Sequence, residues 1–237
     1  GQMGSGIAYV FNKNANKEVI LYDNSNKQIE KCKSNFEKLL DKEIAKQKLD
    51  ANSKIKILEK FSYTTSLSDL KDTDFVVEAV TEDFNIKANL FKELDKITKK
   101  ETILASNTSS ISITKLAATI SKPDKVIGMH FMNPVPVMKL VEVIKALSTS
   151  DETFKTTSEM VKLLSKEMVI SQDIPGFIIN RILMPMINEA ICVLYEGIAS
   201  KEDIDKGMVL GTNVPMGPLT LADFIGLDTC LSIMNVL

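Results

Sequence analysis

Histidine is nearly absent from this chain of 237 residues, which contains one, His130. Cysteine is almost as scarce: Cys32, Cys192 and Cys230 are an odd number, far apart, with no C-x-x-C pair. That scarcity argues against a disulfide framework and against a metal site built on Cys/His clusters. It points to a reducing compartment, the cytoplasm. Excess charge is lacking as well. Lys and Arg number 29 against 31 Asp and Glu, a formal net charge of -2, which leaves no basic footprint for a nucleic acid. No apolar run reaches the roughly 18–20 residues that span a bilayer, and no basic segment leads into an apolar one near the start, so neither a membrane span nor a secretory leader is expected. What remains, 44% apolar and 25% charged residues, is the balance of a globular protein, long enough for one large domain or two modest ones.

The lone histidine falls in residues 125–144, where two β-branched, apolar runs flank Asn133-Pro134-Val135-Pro136. Proline supplies turn geometry and cannot donate to an interior ladder, so the stretch reads as strand, turn, strand. His130 and Glu142 are equidistant from Pro136, and antiparallel pairing about that residue places them opposite one another. A carboxylate facing an imidazole fixes its tautomer and stabilises its protonated form, as a general base near neutral pH requires. The structural reading of the same pair is a buried histidine satisfied by a neighbouring acid.

The chain opens on Gly1-Gln2-Met3-Gly4-Ser5-Gly6, which has the look of the second half of a dinucleotide-binding turn. There, glycines let the backbone approach a pyrophosphate at a helix N-terminus. A helix is expected over 7–13, then a strand over 18–23 ending in Asp23, placed to accept hydrogen bonds from ribose hydroxyls and to disfavour a 2′-phosphate. Residues 27–60 carry apolar positions at helical spacing among Lys and Glu, predicting a helical hairpin broken near 50–53. Strands follow at 61–65, 74–80 and 102–106, with a helix over 84–97. Such alternation predicts a doubly wound parallel sheet, whose ligands gather at the carboxyl ends of the strands. That edge takes in the turn after Val80, the Ser106-Asn107-Thr108-Ser109-Ser110 cluster and the end of the strand bearing His130; the cluster also reads as a helix cap.

Beyond residue 150 helices dominate, apart from a short strand at 167–170. A long apolar helix is expected from about Asp173, with Pro175 near its first position and Pro185 bending it. It carries the polar pair Asn180-Arg181, which needs partners there, either as an interdomain hydrogen bond or as part of a cleft. Helices at 201–210 and 219–237 flank a tight turn at 215–218.

Taken together, Gly-Gln-Met-Gly-Ser-Gly at 1–6, Val-Val-Glu-Ala-Val at 76–80, Ser-Asn-Thr-Ser-Ser at 106–110, His-Phe-Met-Asn-Pro-Val-Pro-Val-Met-Lys-Leu-Val-Glu at 130–142, Pro-Gly-Phe-Ile-Ile-Asn-Arg at 175–181 and Pro-Met-Gly-Pro at 215–218 resemble the 3-hydroxyacyl-CoA dehydrogenases. The likeness covers essentially the whole chain and extends to the bacterial 3-hydroxybutyryl-CoA enzymes among them. It implies an α/β fold, a Rossmann-type, mostly parallel sheet followed by an all-α C-terminal domain. Residues 1–172 would be the NAD-binding domain, with its first strand absent, and 173–237 a truncated helical domain for substrate and dimerisation.

The implied reaction is oxidation of a (3S)-3-hydroxyacyl-CoA to the 3-ketoacyl-CoA, or the reverse. Carried over by motif, His130 takes the hydroxyl proton, Glu142 supports it, Ser109 binds the substrate oxygen and Asn180 completes the polar cradle. Gly1, Gln2, Met3, Gly4, Ser5, Gly6, Asp23, Glu82, Lys87 and Asn133 would hold the cofactor, NAD, with NADP the alternative. Lys46 would meet coenzyme A. The implied partners are an acyl-CoA substrate and, for a full-length chain, a second copy; metal, nucleic acid and membrane are not expected. Because family members carry a strand before the position of Gly1 and helices after that of Leu237, the chain is expected to be a fragment. Two other readings remain: a non-catalytic nucleotide-binding or structural protein of the same fold, and a dehydrogenase of free hydroxy acids. The joint presence of Ser109, His130, Glu142 and Asn180 favours the enzyme.

Overall fold

The computed structural model describes residues 1–237 and divides into two compact units, Gly1–Asp173 and Ile174–Leu237. In the first unit, α1 (Gln2–Lys13) leads to β1 (Val19–Tyr22), then α2 (Asn26–Ala45), α3 (Ala51–Glu59) and β2 (Phe61–Thr64). Next come β3 (Phe75–Glu78), α4 (Phe84–Ile97), β4 (Ile103–Ser106), α5 (Ile113–Ala117), β5 (Val126–Phe131), β6 (Leu140–Lys145), α6 (Asp151–Leu163) and β7 (Glu167–Ser171). Strands β3 to β7 form one sheet in chain order, parallel throughout except for the β5–β6 pair. This is the mostly parallel α/β architecture expected from the alternation of elements. The sheet is nevertheless in two pieces: β1 and β2 pair in parallel by themselves, no ladder joins β1 to β3, and α1 packs against both of those strands.

Several boundaries differ from the expected ones for local reasons. Helix α1 starts at Gln2 rather than at residue 7, so Gly1 is its N-cap and Gly4 and Gly6 lie in its first two turns instead of preceding it. The expected helical hairpin is present as α2 and α3, but its break falls at 46–50 rather than 50–53, because the Asp50 carboxylate accepts the Ser53 N–H at 2.7 Å and caps α3. Asp83 does the same for α4, accepting from the Ile86 N–H at 2.9 Å. The helix then buries Phe91 and Leu94.

The core is built from α1 (Ile7 to Phe11), Phe36 and Leu40 of α2, and the inward residues of β4, β5 and β6. Phe36 anchors its aromatic part, with ring centroids 4.7 Å from Phe61 and 5.9 Å from Tyr9. All six residues of β5 are buried, as expected of an interior strand covered on both faces. On that strand Gly128 is required by close packing: a Cβ there would lie 2.9 Å from Ile144 Cβ and 3.0 Å from Ile113 Cγ1.

The second unit consists of α7 (Ile179–Tyr195), α8 (Lys201–Thr212), α9 (Pro218–Ile225) and α10 (Leu227–Met234). Helix α7 starts later than the expected Asp173, because Gly176 and Phe177 adopt left-handed backbone at φ 78° and 50°. Pro175 is therefore outside the helix, while Pro185 lies within it. The single helix expected over 219–237 is two, parted at Gly226 with φ 98°. Gly217 has a steric reason: its Cβ would fall 2.4 Å from the side chain of Asp205, whose carboxylate caps α9 by accepting the N–H groups of Leu219 and Thr220, each at 2.8 Å. Met184, Ile187, Ala222 and Cys230 form the core of this unit.

Replacing Gly128 by Ala should overpack the strand that carries His130. We expect a loss of about 1–3 kcal/mol, read as a lowered urea midpoint with unchanged slope; a midpoint equal to wild type would refute the packing account.

Candidate active site

Parallel register brings the carboxyl ends of β3 and β4 level, with Glu78 beside Ser106, and sets Ser106 beside Gly128 within β5. Two residues beyond Gly128, His130 stands opposite Glu142 in the antiparallel β5–β6 pair. The His130 Nδ1 to Glu142 Oε2 distance is 2.7 Å, with Glu142 fully buried and His130 8% exposed. A carboxylate that is ionised can only accept, and with Glu142 in that form Nδ1 carries the proton of this bond. The strand end is fixed further by Asn107, whose Oδ1 accepts the N–H of Phe131 at 2.9 Å.

Beneath this edge lies an ionic cluster. Glu78 is buried at the end of β3 and accepts from Lys87 Nζ at 2.7 Å, from Ser106 Oγ at 2.6 Å and from the Val80 N–H at 2.6 Å. Lys87, 1% exposed, also donates to the Val80 carbonyl at 3.2 Å and lies 3.3 Å from Glu82. Breaking such a buried pair leaves an uncompensated charge, typically a cost of about 3–5 kcal/mol. Glu82 in turn organises the loop after β4. Its Oε1 accepts the hydroxyls of Thr108, Ser109 and Ser110 and the N–H groups of Ser109 and Ser110, at 2.5–3.2 Å. Burial alone would raise the Glu82 pKa, but the Lys87 ammonium and the donors from Thr108, Ser109 and Ser110 outweigh it, leaving the carboxyl below its ordinary value.

The glycine-led start of α1 fits a dinucleotide. Gly1 caps the helix without a side-chain hydrogen bond, and no acid occupies the first turn, so the first N–H groups and the positive end of the helix dipole suit an anion. A Cβ on Gly1 would meet nothing within 4 Å. Asp23 Oδ2 lies 3.4 Å from the Gly1 nitrogen, and its Oδ1 accepts the Ser25 N–H at 3.0 Å. Gln2 Nε2 donates to Asn133 Oδ1 at 3.2 Å, tying the turn to the loop beyond His130.

The structure thus brings His130 to Glu142, Ser109 to Glu82 and Lys87, and Gly1 and Gln2 to Asp23 and Asn133. Lys46, exposed at the C-cap of α2, joins none of these groups. Asn180 occupies the first turn of α7 in the other unit and is 8% exposed. Sequence reasoning missed Glu78, Asn107 and Thr108 as organising residues. A carboxylate inside the apolar run Val76-Val77-Glu78-Ala79-Val80 was the available signal, since a buried acid needs a cation, and Lys87 sits one β-α step later. It also missed Asp173, which accepts from Ser112 Oγ and from the N–H groups of Ile113 and Thr114 at 2.7–2.9 Å and so caps α5.

A glycine-led helix and an acid at the end of β1, with an acid-held imidazole on the mostly parallel sheet of β3 to β7, fit the class of nicotinamide-dinucleotide-dependent dehydrogenases. Residues 1–174 match the model of the 3-hydroxyacyl-CoA dehydrogenase NAD binding domain, and 176–237 that of the 3-hydroxyacyl-CoA dehydrogenase C-terminal domain. The chain belongs to the 3-hydroxyacyl-CoA dehydrogenase family. It is 52% identical over 237 residues to the 3-hydroxybutyryl-CoA dehydrogenase of Clostridioides difficile, covering all of this chain and 84% of that protein. With the human mitochondrial hydroxyacyl-coenzyme A dehydrogenase it shares 45% over 242 residues, 99% of this chain and 76% of that one. The crystal structure of (S)-3-hydroxybutyryl-CoA dehydrogenase from Ralstonia eutropha superposes with a TM-score of 0.96 at 50% identity, over all of this chain and 83% of that chain.

Because the folded pKa of Glu82 is depressed, its contribution to loop stability is complete above the unfolded value of about 4.3 and is lost as pH falls through the folded one. Amide exchange at Ser109 and Ser110 should stay protected at about pH 5 and, relative to the sheet, accelerate only below the ordinary Glu pKa. Loss of protection already near neutral pH would contradict the assignment.

Proposed function

We infer that this protein is an NAD-dependent oxidoreductase acting on CH–OH, interconverting a (3S)-3-hydroxyacyl-CoA, 3-hydroxybutyryl-CoA foremost, and its 3-ketoacyl-CoA. The observation that carries the residue assignment is the buried His130–Glu142 pair at the strand edge shared with the Ser106–Ser110 loop. In this reading, His130 Nε2 takes the proton of the substrate hydroxyl, and the oxygen's electron pair becomes the second bond of the carbonyl. When bound, NAD supplies the acceptor for the hydride leaving C3. Glu142 holds the Nδ1–H tautomer and offsets the charge of the imidazolium that forms. In the reverse direction the same nitrogen returns the proton.

Ser109 donates its hydroxyl proton to Glu82 and so meets a substrate alcohol as an acceptor; rotation of the hydroxyl serves the ketone. The first turn of α1, Gly1 to Gly6, takes the pyrophosphate and Asp23 the ribose hydroxyls, which favours NAD over NADP. Glu82 and Asn133 line the nicotinamide side, and Lys87, being buried, acts there through Glu82. Asn180 contributes a substrate contact, and Lys46 a cation for coenzyme A phosphate; motif position supports both.

We place the protein in the cytoplasm as a homodimer. Its three cysteines are free, and no helix is long and apolar enough to cross a membrane. Exposed Tyr195, Leu210, Phe224 and Leu231 on the helical unit supply apolar surface for a second copy.

The test is reduction of acetoacetyl-CoA by NADH, followed spectrophotometrically. We expect turnover by the wild type and a fall in kcat of about 10²–10⁴ for His130→Gln, the usual contribution of a positioned acid/base. Equal rates would refute the base, and absence of turnover in the wild type would favour a non-catalytic role.

A further inference from the structure

Lys166 has no place in the chemistry above, yet it is one of the most buried charged residues of the α/β unit, 8% exposed. It lies at the corner between α6 and β7. Its Nζ donates to two main-chain carbonyls, Val135 at 2.5 Å and Met138 at 2.6 Å. Burial lowers its pKa, and no carboxylate acts in the opposite direction. An ammonium buried without a counter-ion is costly to keep. A side chain serving only as filler would be apolar. The corner is shaped to deliver it: Ser165 turns the chain with a left-handed φ of 56°, and the Lys166 N–H bonds back to the Val161 carbonyl at 3.2 Å.

What Lys166 holds is the segment between β5 and β6, and that segment backs the start of α1. A Cβ on Gly6 would lie 2.9 Å from Val135 Cβ, so helix and turn are in the closest contact that glycine permits. Asn133, two residues before Val135, receives the Gln2 side chain at 3.2 Å. The same corner grips the other end of α1, because Asn14 Nδ2 donates to the Leu164 carbonyl at 2.8 Å. Residues 164–166 therefore fix both ends of the glycine-led helix, one directly and the other through the 133–138 turn.

We propose that Lys166 is a positioning residue for the dinucleotide: by holding the Val135 and Met138 carbonyls it sets where the first turn of α1 stands, and thereby the affinity for NAD and NADH. The proposal rests on the assignment of residues 1–6 to the cofactor. Lys166→Met removes both donors at similar length. Measured by NADH fluorescence titration in the intact protein, the Kd for NADH should rise about tenfold, the scale of losing one or two hydrogen bonds to a positioning element. The KM for acetoacetyl-CoA and kcat at saturating NADH should stay within about twofold of wild type, a split that general loosening of the fold would not produce. Lys166→Gln, which keeps a donor, should fall between the two and serves alone if the Met variant does not fold. An unchanged NADH Kd, equal losses for both substrates, or failure of both variants to fold would overturn the proposal. Titration of the wild type reports separately on the cofactor site itself, so its failure is distinguishable from that of Lys166.

Discussion

The hydrogen bond between His130 and Glu142 depends on one topological exception. In a sheet whose other neighbouring strands run parallel, β5 and β6 run antiparallel, and only that reversal puts an imidazole and a carboxylate at directly opposed positions across a tight connection. A parallel successor would have placed its polar residue at the far end of a crossover, a helix away. The cost of burying Glu142 is met by the imidazole, and the position of the imidazole is met in turn by the strand. Gly128 lets β5 sit flush against Ile144 and Ile113, and Asn107 pins the N–H that follows the histidine. Shift the register by one residue and both side chains would turn to the opposite face.

Around this pair, acids rather than apolar contacts organise the polar rim: Glu78 is buried, Asp173 half-buried and Glu82 exposed. Glu78, Glu82 and Asp173 each collect several donors from segments remote in sequence, and each thereby converts an irregular loop into a defined one. Loops at strand ends carry backbone groups that the sheet cannot satisfy. A carboxylate with several lone-pair directions satisfies them compactly. Lys87 pairs with both glutamates, at the cost of its own burial. The loop built this way holds its hydroxyls already oriented, which in the proposed reaction would limit reorganisation.

The antiparallel hairpin was legible because its chemistry is local: two β-branched runs, prolines between them, and equal spacing from Pro136. Helix α4 was equally plain, with an apolar stripe at helical spacing inside one short window. The glycine helix was harder, since glycine carries no helical signal of its own and α1 extends through it. The break at Gly226 was hidden inside a continuous apolar stretch, where periodicity runs on across a single left-handed residue. Asp173 looked like the start of a helix but caps a different one, at Ser112 to Thr114, a partnership no local pattern announces. For the candidate site, the motifs pointed to His130, Glu142 and Ser109, whereas the neighbouring Glu78 and Asn107 emerge only when strand register sets them beside their partners.

The claim that His130 and Glu142 act as one unit is tested most directly by a double-mutant cycle on kcat for acetoacetyl-CoA reduction, using His130→Gln, Glu142→Gln and the two combined. If Glu142 works through the imidazole, removing it after His130 is gone should cost little, so the double variant should match His130→Gln within about threefold. Fully additive losses, with the double variant slower by the product of the single effects, would show two independent roles and contradict the account.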